Sequence, residues 1–124
     1  MKQQINSNNA PKAIGPYSQA IDTGTFVFAS GQLPIDSQTG LMPSDIAGQT
    51  RQSLANVKAV LESAGLTMDN IVKTTVFLAD MNDFAAMNSV YESVFNAPFP
   101  ARSAVAVKTL PKNALVEIEV VASR

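Results

Sequence analysis

Residues 114–122, ALVEIEVVA, alternate: Val116, Ile118 and Val120 fall on one side, Leu115, Glu117, Glu119 and Val121 on the other. A strand written this way has one strongly apolar face that must be buried, so it belongs in a sheet covered by a second layer. Two segments can supply that layer. In the first, Ser44 reads as an N-cap, Asp45 suits the first turn and Gly65 is the stop, with Leu54, Val57, Leu61 and Ala64 forming one stripe. The second starts near residues 80–83 and runs to about Phe95, with Phe84, Met87, Tyr91 and Val94–Phe95 as its stripe. Asn88, four residues after Phe84 and three before Tyr91, lies on that same side.

The remaining strands follow from alternation and punctuation. Residues 26–30, FVFAS, read as a strand stopped by Gly31, with weaker strands at 17–21 and 2–5. Residues 71–79 alternate, with Val72, Thr74, Val76 and Leu78 on one face. RSAVAVK (102–108) and 114–122, joined by a turn at residues 111–113, read as an antiparallel pair. The expected fold is a single α+β domain over 1–124: two layers, a mixed β-sheet and both helices on one face.

Absent residue types narrow the chemistry. The chain has no cysteine and no histidine, which removes disulfides, thiolate nucleophiles, the usual general base and the commonest metal ligands. Carboxylates, tyrosines, arginines, hydroxyls, amides and backbone groups remain. Nine basic against ten acidic side chains give a net charge of -1, which argues against nucleic acid as the main partner. The polar N-terminal segment and the lack of a long apolar run predict a cytoplasmic protein with no membrane association. Charged residues are only 15% of the chain, as in small domains that hide surface in an oligomer.

One of only three arginines, Arg102, opens the small-residue run of FPARSAVAV. Alternation puts it with Ala104 and Ala106, and the expected pairing sets these beside Glu117 and Glu119 on the helix-free face. One reading is a solvated outer face. The other is a face covered by a second copy, where Arg102 grips a ligand carboxylate with its planar fork and Glu117 is a candidate acid or base. Asn88, Tyr17 and the pair Ser30-Gly31 each have an ordinary reading: an amide satisfied by a loop, a core aromatic, a turn. Gly31 also permits close backbone approach.

Together the segments APKAIGPYSQAI, ASGQLPID, RQSLANVKAVLESAG, IVKTTVFLADMNDFAAMNSVYESVF and FPARSAVAV with LPKNALVEIE resemble the Rid (YjgF/RidA-type) family of imine deaminases over essentially the whole chain. The resemblance implies a chorismate-mutase-like homotrimer with ligand sites between subunits. It implies hydrolysis of 2-iminobutanoate and 2-iminopropanoate, or their enamine tautomers, to 2-oxo acids and ammonia, with no cofactor and no metal. The imines would come from pyridoxal-phosphate enzymes such as serine/threonine dehydratases. Arg102 would hold the substrate carboxylate, Glu117 would activate the water, and Tyr17, Ser30, Gly31, Asn88 and Ala104 would complete the pocket. Ala104 stands where the family usually has cysteine, and the segment 96–98 is shorter than in many members. The competing roles are a non-catalytic trimeric binder of 2-oxo acids, an endoribonuclease or translation inhibitor, and a chaperone-like protein.

Overall fold

Helix α1 (Ile46–Ser63) starts at Asp45, not Ser44: the Asp45 carboxylate accepts from the Gly48 N–H, and its extended backbone marks the cap. Ala64 caps the other end, and Gly65 turns the chain out of the helix at φ +76°. The computed structural model describes residues 1–124. Strands β1 (Gln3–Ile5), β2 (Ala20–Asp22) and β3 (Phe26–Gln32) precede this helix. After it come β4 (Ile71–Leu78), α2 (Phe84–Val94), β5 (Ala101–Ala106) and β6 (Val116–Ser123).

The six strands form one sheet in the order β1-β2-β3-β6-β4-β5, with β4 and β5 parallel and every other pair antiparallel. Because β3 and β4 both run against β6, they are parallel to each other. Each helix is therefore a crossover between parallel strands, and the helices lie on one face as expected. The expected hairpin of residues 102–108 with 114–122 does not form. β5 adds to the edge of β4, and β6 passes over to the slot between β3 and β4. Hydrophobicity decides this: Val116, Ile118 and Val120 are at most 2% exposed, whereas the alanine-rich β5 has little to bury and takes the edge.

Several local expectations also shift. β3 continues through Gly31 to Gln32 across a register irregularity, and the strand expected at 17–21 is confined to Ala20–Asp22. A second irregularity at Ile71/Lys73 turns Val72 outward, 45% exposed, and puts Ile71 in its place. The core lies between sheet and helices, where Leu54, Val57, Val60, Leu61 and Met87 meet Val27, Val76, Leu78, Val116 and Ile118. Each such side chain contributes ~1.5–3 kcal/mol of apolar burial.

Buried amides fix the loops at the strand ends. Asn56 on α1 donates to the carbonyls of Leu33 and Ile35, both at 2.9 Å. Gln49 donates to Pro43 O and accepts from the Leu115 N–H at 2.8 Å, which holds the approach to β6. Gln19 accepts from Ser7 N–H and donates to Pro11 O, which pins the N-terminal segment. Arg124 pairs with Asp22 at 2.5 Å and donates to Ala64 O, tying the end of β6 to the end of α1.

Candidate active site

Helix α2 repeats Phe84, Asn88 and Tyr91 at i, i+4 and i+7, one face of a helix. Arg102 on β5 lies beside Thr74 of β4, and Thr74 is fully buried under the helices. Neighbours in register point the same way, so Arg102 faces the helix layer and not the helix-free face expected for it. Its Nη1 donates to Asn88 Oδ1 at 2.7 Å, and its guanidinium carbon lies 4.7 Å from the Tyr91 ring centre and 5.4 Å from that of Phe84. Those are cation–π distances. The single ion pair of the chain is Arg124 with Asp22, so the Arg102 charge meets no carboxylate. It borders a cleft of about 480 Å³ shared with Asn88, Tyr91, Glu92, Phe99 and Pro100. Ala104, paired with Val76, follows on the same face, partly buried against the core.

Glu117 faces the other way. On β6 it is the register partner of Phe77, whose neighbour on β5 is Val105, and all three lie on the helix-free side. The half-buried carboxylate reaches β3, where the place of a Cβ on Gly31 is 2.8 Å from Glu117 Cδ. Only glycine leaves that space open. Burial is the main influence raising the Glu117 pKa above the ordinary 4.5, with the nearby Glu119 charge second. Ser30 donates its hydroxyl to Ser18 O at 2.6 Å, anchoring the loop that carries Tyr17. Tyr17 is 52% exposed and borders a hollow with Gly31 and Gln32.

The seven candidates thus fall into two groups. Arg102, Asn88 and Ala104 share the helix side; Glu117, Gly31, Ser30 and the Tyr17 loop gather on and beside the opposite face. Within one chain Arg102 and Glu117 are separated by two strand spacings of ~4.8 Å and three residues of ~3.4 Å, roughly 14 Å, with the sheet between them. Ala104 and Ala106, expected beside Glu117, are likewise on the helix side, in register with Val76 and Leu78. Alternation within β5 and β6 holds as expected; pairing the two as a hairpin aligns the wrong faces. Sequence reasoning misses Tyr91 and Phe84, whose rings flank the Arg102 guanidinium, and Thr74, its register partner, as site residues, although the 84–88–91 spacing is visible. No group of His, Cys, Asp or Glu side chains is arranged to hold a metal ion.

Residues 7–124 match the family model described as Endoribonuclease L-PSP, the Rid/YjgF family. The chain belongs to this family. Among its relatives is the 2-iminobutanoate/2-iminopropanoate deaminase of Escherichia coli K12, 54% identical over all of this chain and 99% of that protein. The fold agrees with the crystal structure of the E. coli YjgF gene product, at 54% identity, a TM-score of 0.96 and 98% coverage of both chains. It also agrees with E. coli TdcF crystallised with bound serine, at 49% identity and a TM-score of 0.96, again with 98% of both chains covered. The six-stranded mixed sheet with two helices is the Rid-family architecture.

Proposed function

We propose that this protein is a 2-iminobutanoate/2-iminopropanoate deaminase, a single Rid-type domain that hydrolyses small 2-imino acids to 2-oxo acids and ammonia in the cytoplasm. The observation that carries the reading is Arg102, oriented by Asn88 and two rings yet paired with no carboxylate in the chain. A half-buried guanidinium set up in this way is a receptor for a carboxylate, and its flat fork fits one bidentately. The full-length relatives named as deaminases, and the serine held by TdcF, fit a substrate with an amino-acid skeleton.

The reaction is redox-neutral. Water adds its oxygen to C2 of the imine while Glu117 takes a proton from it. In the protonated imine the C=N bond becomes C–N, and Glu117 passes the proton it took to the amine, making it an ammonium. Collapse of the tetrahedral adduct breaks C–N: the electron pair leaves on nitrogen as ammonia, the added hydroxyl gives its proton to the Glu117 carboxylate, which releases it to the departing ammonia, and C2 becomes the ketone carbon. A protonated imine is electrophilic enough that one positioned carboxylate and one carboxylate anchor suffice.

A small 2-imino acid cannot bridge roughly 14 Å through a sheet, so Arg102 and Glu117 serve one substrate only if they come from different copies. The helix-free face supports such an assembly: Phe28 and Val105 are 49% and 46% exposed beside Phe77, Val121 and Leu115. A homotrimer closes this contact with three equivalent sites. Tyr17, Ser30 and Gly31 shape the Glu117 side, Asn88 and Ala104 the Arg102 side. The test is a coupled assay: a dehydratase releases the imine, and 2-oxo acid formation is timed with and without the protein. Acceleration over spontaneous hydrolysis is expected; an unchanged rate sinks the proposal.

A further inference from the structure

Thr74 and Tyr91 share a hydrogen bond of 2.8 Å between their hydroxyls in the layer between sheet and helices, with Thr74 0% and Tyr91 4% exposed. Valine and phenylalanine would fill the same space, and a buried neutral pair adds little net stability over such a replacement. What the pair does supply is position. Thr74 is the register partner of Arg102 on the adjacent strand, and the Tyr91 ring is the nearer of the two surfaces against the Arg102 guanidinium. The constraint closes on itself, from the Arg102 backbone to Thr74 by strand pairing, to the Tyr91 hydroxyl, through the ring and back to the guanidinium. Asn88, one helical turn earlier, fixes the edge of the same group at 2.7 Å.

We infer that Thr74 and Tyr91 are positioning residues for the carboxylate anchor: they hold the Arg102 guanidinium in the plane and direction in which it receives the substrate carboxylate. Neither touches the reacting carbon. The inference rests on the deaminase reading for its substrate. Its signature is therefore a change in KM, and in affinity for the 2-oxo acid product, with little change in kcat.

The experiment compares wild type with Tyr91→Leu, Tyr91→Phe and Thr74→Val, by the coupled assay, by calorimetric titration with 2-oxobutanoate and by thermal melting. Losing the ring in Tyr91→Leu should raise both KM and the 2-oxobutanoate Kd about tenfold, with kcat within about twofold. Tyr91→Phe returns the ring without its hydroxyl and should recover part of the affinity, to within about three- to fivefold of wild type. Thr74→Val, which leaves the phenol without its partner, should weaken binding about three- to fivefold. If Tyr91→Leu does not fold, the nearly isosteric Thr74→Val carries the test. Wild-type Kd and KM in Tyr91→Leu and Thr74→Val would overturn the inference, as would a fall in kcat at unchanged KM. Failure of the deaminase reading looks different: wild type would not accelerate imine hydrolysis, and the 2-oxobutanoate titrations would still decide what Thr74 and Tyr91 do.

Discussion

The carboxylate of Glu117 lies over the backbone of Gly31 so closely that a side chain on Gly31 would meet Glu117 Cδ at 2.8 Å and Cγ at 3.1 Å. Gly31 is within a strand and not at a positive φ, so the backbone itself would accept alanine. The glycine is required by the neighbour and not by the turn first read there. Gly31→Ala should therefore fold and melt close to wild type while pushing the Glu117 carboxylate aside. A misplacement near 1 Å costs on the order of 10²-fold in rate. The deaminase assay and a melting curve on the same preparation check this; full activity in Gly31→Ala would remove Glu117's present position from the mechanism.

Acidity gives a second prediction. As the proposed base, Glu117 must be ionised to take a proton from water, and burial with the Glu119 charge raises its pKa above 4.5. Activity should thus fall on the acid side at a pH above the ordinary glutamate range. Glu119→Gln deletes the repulsion and should move that limb to lower pH, leaving the neutral-pH rate nearly unchanged. The sign for stability is opposite to that of a salt-bridged acid. A raised native pKa means the folded state binds the proton more tightly, so this group's contribution is lost as pH rises through it. Glu117→Gln should be at least as heat-stable as wild type at pH 7, and a clear drop in Tm would show that the ionised carboxylate is held favourably.

Much of this was legible in the chain because period-two and period-3.6 patterns report which side of an element is buried. Val116, Ile118 and Val120 announced the core face, and Phe84, Asn88 and Tyr91 announced a common helix face. Pairing was not legible. Whether β5 lies beside β6 or at the far edge of β4 depends on competition for the central slot, a property of all six strands together. That misassignment moved Arg102 to the wrong face. The irregularity at Ile71/Lys73, which exchanges Val72 for Ile71 in the core, leaves no mark on the pattern either. The family resemblance singles out Arg102 and Glu117 and implies sites between subunits; the register adds that one copy cannot bring the two residues together.

Binding and chemistry should separate by mutation. Arg102→Ala removes a charge-assisted, bidentate contact of ~1.5–3 kcal/mol and should weaken 2-oxobutanoate at least tenfold while abolishing useful turnover. Glu117→Gln keeps the shape and should still bind 2-oxobutanoate, with the rate reduced by ~10²–10⁴. Titration calorimetry and the coupled assay on both variants check this. Wild-type affinity in Arg102→Ala would place the anchor elsewhere.

The opposite orientation of Arg102 and Glu117 makes a stronger demand on the same two variants. Each is expected to be nearly inactive alone, yet Arg102→Ala still carries an intact Glu117 side and Glu117→Gln an intact Arg102 side. If one site is built from two copies, mixed assemblies contain interfaces at which both intact halves meet. In a cyclic trimer formed at random from equal amounts, such an interface needs the Glu117→Gln copy on the arginine side and the Arg102→Ala copy on the glutamate side, a probability of about one quarter. Co-expressed or co-refolded variants should therefore recover up to about a quarter of wild-type activity, whereas the two preparations mixed without subunit exchange should recover none. Light scattering on the same samples should give three times the mass of the 13.1 kDa chain. No recovery in a mixture shown by mass spectrometry to contain both variants in one assembly would mean that the site is not shared. Because the sheet separates the two residues within a copy, Glu117 would then have to be replaced as the catalytic group by a residue on Arg102's own side, and Glu92, on the same cleft, is the carboxylate to test first.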